Sequence, residues 1–342
     1  MRFKCPKPDH PRPAKLLREV VADTVCSAIL ATRVDKILCL LTRIGIRLLQ
    51  AMPLRWAALL GRCGGELVFW ADRRHRRMAI ANLTRCFKHE KTPAQIRALA
   101  HENFRRIGEN SCCAVHTAAL DAASLYKVLE VRGPGAASHD DRQNPAPNRL
   151  FATGHFGNFE LFTRLAEYIR GYQFAATYRG IRQPALNQLF YELRTKSGNR
   201  LFERRKESEE LKRMMSQGGL LLVLVADQSA GDSGMEVSFL GYPCLASRAP
   251  AVMAMRYGCS LYVPICYRIG LGKWVIETGE AIPTQENGRR RSCDEITQDI
   301  NAAMEVAVKR DPANWFWVHN RWKGRRGPQT ETALAAAAAP AV

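Results

Sequence analysis

The residues best suited to chemistry lie in the stretch RLFATGHFGNFELF, residues 149–162. A neutral histidine such as His155 can take a proton from a hydroxyl group, and a carboxylate such as that of Glu160 can fix its tautomer and stabilise the imidazolium. Residues at this spacing do not share a helix face, so we expect a strand-to-helix turn, with backbone freedom at Gly154 and Gly157, to pair them. The structural alternative is a hydrogen-bonded histidine at a strand end beside a solvated glutamate.

The sequence offers no obvious covalent nucleophile or cofactor loop to accompany this histidine. It contains no G-x-S-x-G, no phosphate loop of the G-x-x-x-x-G-K-[ST] kind and no convincing dinucleotide fingerprint. The 11 cysteines show no C-x-x-C or zinc-site spacing. We therefore predict no metal and no cofactor. We also predict that the cysteines are reduced and serve as small apolar side chains, and that the active part of the protein faces a reducing cytoplasm. Direct transfer to a substrate hydroxyl, with His155 as general base, needs none of these.

Alternating strand and helix patterns from residue 149 onward would position this pair. Strand-like runs lie at 150–153, 174–178, 220–226, 261–267 and 274–278, and helix-like segments at 157–170, 184–197, 207–217, 247–257 and about 292–310. Such alternation is typical of an α/β fold, and the run LLLVLVA is apolar on both faces, as a central parallel strand should be. We predict a central mixed, largely parallel sheet flanked by helices, with His155 at its carboxyl edge.

The charge and the N-terminal region both point towards anionic surfaces. The 342 residues carry a formal charge of +19, which favours nucleic acid, an anionic membrane, a phosphorylated substrate or an acidic carrier protein. Residues 15–71 are apolar but contain no uncharged run of the roughly 18 residues that a membrane span needs. One quadrant of a helical wheel collects Lys15, Arg18, Arg33, Lys36, Arg43 and Arg47. This pattern predicts amphipathic helices on a membrane, with ordinary packing on the domain as the alternative.

Changes in composition divide the chain. Thr92 and Pro93 predict the N-cap and first residue of one helix of the main domain. The predicted regions are a disordered basic arm (1–14), amphipathic membrane-associating helices (15–71), a main domain (72–326) and a disordered Ala-rich tail (327–342). Within the main domain we predict a helical part (72–131), a Gly/Pro-rich loop (132–148) and an α/β part (149–326).

Four blocks of the sequence, in order, resemble the lipid A late acyltransferases, the lauroyl and myristoyl transferases of Gram-negative bacteria. They are GHFGNFE (154–160), TYRGIRQPALNQLFYELRTKSG (177–198), ADQSAGDSGMEVSFLGYPCLASRAPAVMA (226–254) and NWFWVHNRWK (314–323). The resemblance covers roughly residues 70–325. It departs at Phe159, where many members carry tryptophan, and in the N-terminal region, which lacks the clear span that the family often shows. It implies a glycerolipid-acyltransferase-like fold and transfer of a fatty acyl chain from acyl carrier protein, or a related thioester, to a hydroxyl of a lipid A precursor.

The resemblance also implies roles for individual residues. His155 matches the general base and Glu160 its partner. Arg194 matches an arginine that stabilises the oxyanion of the tetrahedral intermediate, and Asp227 an acidic residue of the third block. Structural alternatives stay open: a solvated helix-face arginine for Arg194, a strand-end positioning residue for Asp227 and an ion pair for Arg179. The implied substrate-binding residues are Gly157, Asn158, Tyr178, Arg179, Gln228, Arg321 and Lys323.

The predicted partners are acyl carrier protein, an anionic lipid A precursor and an anionic membrane surface, at the cytoplasmic face of the cell inner membrane. The basic clusters Arg73–Arg77 and Arg204–Lys206 are candidate docking surfaces for the acidic carrier. Two other functions stay open: acyl transfer to a glycerophospholipid, lyso-lipid or other glycolipid, and a non-catalytic basic protein on membrane or nucleic acid. The sequence shows no clear aromatic platforms interleaved with basic residues, so no nucleic-acid partner is expected.

Overall fold

The computed structural model describes residue 35 and residues 37–139, 145–181, 183–204 and 206–324. The predicted arm (1–14), the predicted tail (327–342) and four residues of the predicted basic quadrant lie outside the described residues. Those four are Lys15, Arg18, Arg33 and Lys36.

A group of helices precedes the main sheet. They are α1 (residues 37–51), α2 (Leu54–Ala71), α3 (Arg73–Phe87), α4 (Pro93–Thr117) and the short α5 (Ala122–Leu125). Pro53 separates α1 from α2, because its ring cannot continue a helix. Helix α4 begins as predicted at Thr92 and Pro93, and Gln95 completes a capping box. Within the described ranges, no helix combines the length and the apolar character needed to cross a membrane.

The strands form one main sheet and three smaller ones in the described part of the chain. The strands are β1 (Leu129–Arg132), β2 (Arg149–Thr153), β3 (Gln173–Tyr178), β4 (Arg200–Glu203), β5 (Leu220–Val225), β6 (Met235–Phe239), β7 (Tyr242–Ala246), β8 (Ser260–Tyr262), β9 (Pro264–Gly270), β10 (Lys273–Thr278), β11 (Gln285–Glu286) and β12 (Arg289–Arg290). The main sheet has five strands in the order β4-β3-β5-β2-β8, and all its ladders are parallel. The predicted α/β fold with a largely parallel sheet flanked by helices is confirmed.

Four further helices lie in the α/β part of the described chain. They are α6 (Pro184–Thr195), α7 (Ser208–Gln217), α8 (Ala249–Tyr257) and α9 (Cys293–Arg310), which begin and end within two residues of the predicted segments. The helix-like segment predicted at 157–170 is a 3₁₀ helix at Phe159–Glu167 and not an α-helix. Its 3₁₀ geometry projects side chains differently from an α-helix, which matters at Glu160.

Two predicted strands belong elsewhere in the fold. The single strand predicted at 261–267 is two strands, because the chain leaves the parallel sheet between Tyr262 and Pro264. Strand β9 then pairs antiparallel with β10, and β10 pairs parallel with β1 in a separate three-stranded sheet. Strand β4 was missed because its four residues, RLFE, show too little alternation to be recognised.

The segment after α9 closes the core through its tryptophans. Trp315, Trp317 and Trp322 are all buried, and the rings of Trp315 and Trp317 meet edge to face at 4.7 Å. Amides from two helices hold their backbone: Asn82 Nδ2 donates to Trp317 O and Asn103 Nδ2 donates to Trp315 O. This segment is thereby fixed against α3 and α4 and passes beside the loop after β2.

Candidate active site

Two loops meet at the carboxyl edge of the main sheet. Strands β2 and β5 are hydrogen-bonded parallel neighbours, so the residues that follow Thr153 and Val225 lie side by side. The first loop carries His155 and the second carries Asp227. Ala226 N donates to Thr153 O at 2.8 Å and extends the ladder just beyond the strand. The sheet therefore brings together a histidine and a carboxylate that are distant in sequence.

Asp227 holds His155 at two points. His155 Nδ1 lies 2.8 Å from Asp227 Oδ1, and the backbone N–H of His155 donates to Asp227 Oδ2 at 2.9 Å. The indole Nε1 of Trp315 donates to the same Oδ2 at 2.9 Å. A carboxylate beside Nδ1 fixes the tautomer with the proton on that nitrogen, so Nε2 is left as the acceptor. This is the geometry that a histidine general base requires.

The electrostatics favour an ionised Asp227 beside His155. Burial alone would raise the pKa of the Asp227 carboxyl, but His155 and the three donated hydrogen bonds outweigh burial and lower that pKa to about 2. Burial likewise opposes the charged form of His155, yet the attraction of Asp227 outweighs it and raises the His155 pKa above its usual 6.5. The imidazolium that forms when His155 takes a proton is thus stabilised by Asp227.

Glu160 pairs with Arg194 and not with the His155 ring. Arg194 Nε donates to Glu160 Oε2 at 2.8 Å, and Arg194 Nη2 donates to Glu160 Oε1, a bidentate pair. The predicted partnership of Glu160 with His155 is therefore corrected: the 3₁₀ segment turns Glu160 towards α6, and Asp227 takes the place beside the imidazole. Glu160 still lies close enough to contribute to the raised pKa of His155.

Glycine is required at two positions of the loop after β2. A Cβ at Gly154 would lie 2.9 Å from the carboxyl carbon of Asp227, so any side chain would push the carboxylate away from His155. Gly157 has φ +52°, and its Cβ would lie 2.5 Å from Cys266 O. The two glycines permit the close approach of this loop to Asp227, in the loop after β5, and to β9.

His155, Glu160 and Arg194 line one cavity of about 350 Å³, a size typical of small-ligand pockets. Asp227 lies behind His155 and is not among the lining residues. The aromatic rings of Phe159 and Phe316 stand 4.8 Å and 5.6 Å from the His155 ring. The apolar lining comes largely from α4 and α6 and includes Ile107, Ala114, Val115, Ala118, Phe190 and Leu193. The cavity can thus accept an apolar chain with a polar group at the histidine.

The structure brings some of the predicted substrate-binding residues to this cavity. Gly157 and Asn158 line it, and the amide of Asn158 is buried without a hydrogen-bond partner in the described residues. Tyr178 does not line it but lies near, with its ring 6.3 Å from that of Tyr191 and within electrostatic range of Arg194.

The other predicted substrate-binding residues lie elsewhere. Arg321 is fully buried, and its guanidinium donates to Gln228 O and to Asn301 Oδ1, both at 2.6 Å. The structure thus makes Arg321 a support for the loop that carries Asp227, and neither it nor Gln228 lines the cavity. Arg179 and Lys323 line a second cavity.

Sequence reasoning missed two contributors to the site. Trp315, which donates to Asp227, was given no role in the sequence analysis. Helix α4 was not linked to the site, although its small and apolar side chains form much of the cavity wall. The recurrence of Ile107, Ser111, Ala114 and Ala118 at helical spacing is a signal of one shared face.

A histidine held by a buried carboxylate at the carboxyl edge of a parallel sheet, beside an apolar cavity and an arginine, is typical of an α/β enzyme that uses general-base catalysis. Residues 30–324 match the bacterial lipid A biosynthesis acyltransferase family. The chain belongs to that family and is an acyltransferase. A comparison with curated proteins gave no match.

Proposed function

We propose that the protein transfers a fatty acyl chain from the thioester of acyl carrier protein to a hydroxyl of a lipid A precursor, with His155 as the general base. One observation carries the proposal: His155, which Asp227 holds, and the Glu160–Arg194 pair line the same largely apolar cavity in a chain of this family. The cavity suits the hydrocarbon part of the donor, and its polar end suits the thioester carbonyl.

In the proposed reaction, Nε2 of His155 takes the proton of the acceptor hydroxyl while Asp227 holds the Nδ1 proton. The acceptor oxygen attacks the thioester carbonyl carbon and forms a tetrahedral oxyanion. Collapse of this intermediate breaks the carbon–sulfur bond, and the proton on His155 passes to the departing thiolate. The products are an acyl ester and the free thiol of the carrier, with no covalent acyl-enzyme.

Arg194 is the proposed donor to the oxyanion. A guanidinium has five N–H donors, and the pair with Glu160 uses one on Nε and one on Nη2, so three remain for a developing charge. Glu160 fixes the guanidinium in place without spending those donors. A preorganised donor of this kind is typically worth about 3 kcal/mol of barrier.

Two exposed basic surfaces support an acidic carrier protein as the donor. Arg73, Arg74 and Arg77 are exposed in the first turns of α3, whereas Arg76 bonds the backbone oxygens of Phe69 and Trp70. In the second predicted cluster Arg204 and Lys206 are exposed, and Arg205 lies outside the described residues. Complementary charge would steer the carrier to these surfaces and make the rate sensitive to salt.

Exposed apolar stripes on α1 and α2 support binding to an anionic membrane surface. On each helix the residues recur at alternating spacings of four and three, which places them on one face. The α1 stripe is Ile37, Leu41, Ile44 and Leu48, and the α2 stripe is Trp56, Leu60, Cys63, Leu67 and Trp70. Tryptophan near both ends of α2 and exposed arginines at positions 47 and 55 fit a helix in the headgroup region.

Mass spectrometry of lipid A from cells with and without the protein tests the function. We expect one additional ester-linked acyl chain only when the wild-type protein is present. His155→Ala should lower the rate of transfer by about 10³-fold, since a general base typically contributes 10² to 10⁴. His89→Ala, a change at an exposed histidine after α3, is the matched control and should leave the rate unchanged.

An assay with purified protein and the acyl carrier protein thioester distinguishes the two candidate acceptors, a lipid A precursor and a lysophospholipid. Transfer to a lysophospholipid but not to a lipid A precursor would contradict the proposed acceptor and favour the glycerophospholipid alternative. Full membrane binding and unchanged cellular function in His155→Ala would contradict catalysis by this site.

A further inference from the structure

A second cavity, of about 620 Å³, lies beside the reaction centre and shares no lining residue with the first. Its walls come from the start of α3, the end of β3, the loop after β5 and the segment after α9. The residues that line this second cavity are Arg74, His75, Met78, Arg179, Ser229, Gly231, Asp232, Val318, His319, Asn320, Lys323 and Gly324.

The lining of this cavity is predominantly basic. Arg74, Arg179 and Lys323 are exposed, and their side chains make no hydrogen bond or ion pair with other described residues. Asp232 is the acidic residue among those that line it. Burial lowers the pKa of His319, so this side chain is a neutral hydrogen-bonding group at pH 7. Three cations that converge from three different parts of the chain make a site suited to an anion with several oxygens.

The second cavity is connected to the His155–Asp227 pair through two short segments. Residues 228–229 lead directly from Asp227 to the cavity wall, and Ser229 N contacts His319 Nε2 at 3.4 Å. The ring of Phe316, three residues before His319, lies 5.6 Å from the His155 ring. His319 is also within electrostatic range of both Asp227 and His155. A molecule anchored in the second cavity could therefore present a hydroxyl to His155.

We propose that this second cavity binds a phosphate group of the lipid acceptor, with Arg179 and Lys323 as its principal contacts; the proposal rests on the proposed acyl transfer. Arg179 presents a planar fork of donors that matches phosphate oxygens, and Lys323 adds a compact charge. Arg74, near the N-terminal end of α3, adds a third positive charge to the lining. The apolar first cavity takes the donor chain, so the polar second cavity is free for the acceptor headgroup.

The test compares two acceptors that differ only in the phosphate, with the full-length protein in neutral detergent micelles. In the double variant Arg179→Gln/Lys323→Gln, KM for the phosphorylated acceptor should rise about tenfold or more, as expected for lost charged hydrogen bonds. We expect kcat to change less than about threefold and the kinetics with the dephosphorylated acceptor to stay the same. Inorganic pyrophosphate should compete with the phosphorylated acceptor in the wild type and compete more weakly in the variant.

A charge-matched control separates local binding from the general loss of positive charge. Arg256→Gln/Lys309→Gln removes two exposed cations from α8 and α9 that line neither cavity, and it should behave as the wild type. Thermal unfolding of both double variants checks that each is folded.

The outcomes distinguish the possible failures. If the two double variants show the same KM for the phosphorylated acceptor, the second cavity is not the phosphate site, while the proposed function stands. If Arg179→Gln/Lys323→Gln instead raises KM for an acyl-phosphopantetheine donor but not for an acyl-pantetheine donor, the second cavity binds a phosphate of the donor and the proposal is overturned. If wild-type protein acylates neither acceptor, the proposed function itself fails.

Discussion

At the scale of single residues, the site depends on which carboxylate contacts His155 and which contacts Arg194. Asp227 is buried and receives three hydrogen bonds, two from His155 and one from Trp315. Glu160 is tied to Arg194 by two hydrogen bonds from one guanidinium. Each carboxylate thus orients a different group, so the histidine and the arginine are positioned independently of one another.

Asp227→Asn should lower kcat by about 10³-fold or more, because an amide favours the wrong tautomer of the histidine. It should also move the acidic limb of the pH profile of kcat/KM. In the wild type the neutral, active form of His155 accumulates as pH rises through a pKa that lies above 6.5. Without the Asp227 charge, burial still disfavours the imidazolium, so this limb should shift to lower pH.

Glu160→Gln serves as the comparison for that pH profile. Glu160 contributes less than Asp227 to the raised pKa of His155, so its loss should shift the limb by less. A limb that moves more in Glu160→Gln than in Asp227→Asn would contradict the assignment of Asp227 as the partner of His155.

At the scale of elements, the contact between α2 and α4 positions one wall of the cavity. Gly61 and Gly65 on α2 face Gly108 on α4, and the backbones approach so closely that a Cβ on any of the three would clash. Beside this contact, Glu109 is fully buried and bonds both Arg62 and Arg268. These interactions fix α4, which carries Ile107 and Ser111 of the cavity lining, against α2 and β9.

Gly108→Ala should separate α2 and α4, since the new Cβ would lie 2.0 Å from Gly61 O. We expect the free energy of unfolding to fall by about 2 kcal/mol, as for other overpacked contacts. Urea denaturation followed by circular dichroism measures this change. Transfer activity should fall as well, because the displaced helix lines the cavity.

Gly64→Ala is the matched control on α2. A Cβ at Gly64 meets nothing within 4 Å, so this variant should be as stable as the wild type or more stable by about 0.5–1 kcal/mol, the usual gain from Ala in a helix. Equal destabilisation by both substitutions would show that the helix contact is not the cause.

At the scale of the whole molecule, the protein combines a strongly basic surface with apolar stripes that the fold does not cover. Trp56 and Leu67 of the α2 stripe are 63% and 70% exposed, although the opposite face of α2 buries Ala57, Gly61 and Gly65. An exposed apolar face of this kind marks a surface for a membrane or a partner.

Trp56→Ser/Leu67→Ser should weaken binding to vesicles that contain anionic phospholipid by about tenfold or more, because each side chain contributes about 1.5–3 kcal/mol when buried in an apolar environment. Co-sedimentation with vesicles measures the binding. Val306→Ser removes an equally exposed apolar residue from α9 and is the control. Unchanged vesicle binding in the double variant, with the fold intact, would contradict the role of α2.

Local patterns predicted those parts of the protein that depend on neighbouring residues. Apolar, strand-like runs identified β2, β3 and β5, and Thr92 with Pro93 marked the start of α4. The paired strands β9 and β10 also have regular apolar patterns, but nothing local indicates that they leave the parallel sheet. The same limit applied to the residue range 157–170, where helix-like periodicity could not distinguish a 3₁₀ segment from an α-helix.

The sequence by itself determined an α/β fold, a basic surface and a histidine at the end of a parallel strand, since each of these is written in residues that are close along the chain. Only the tertiary structure decided which carboxylate holds that histidine. Asp227 stands 72 residues from His155, and the two meet because β5 pairs with β2 in the sheet. Glu160, five positions away in the sequence, was the nearer candidate, but the 3₁₀ turn directs it to Arg194. Strand order is a long-range property, and here it selects the partner of His155.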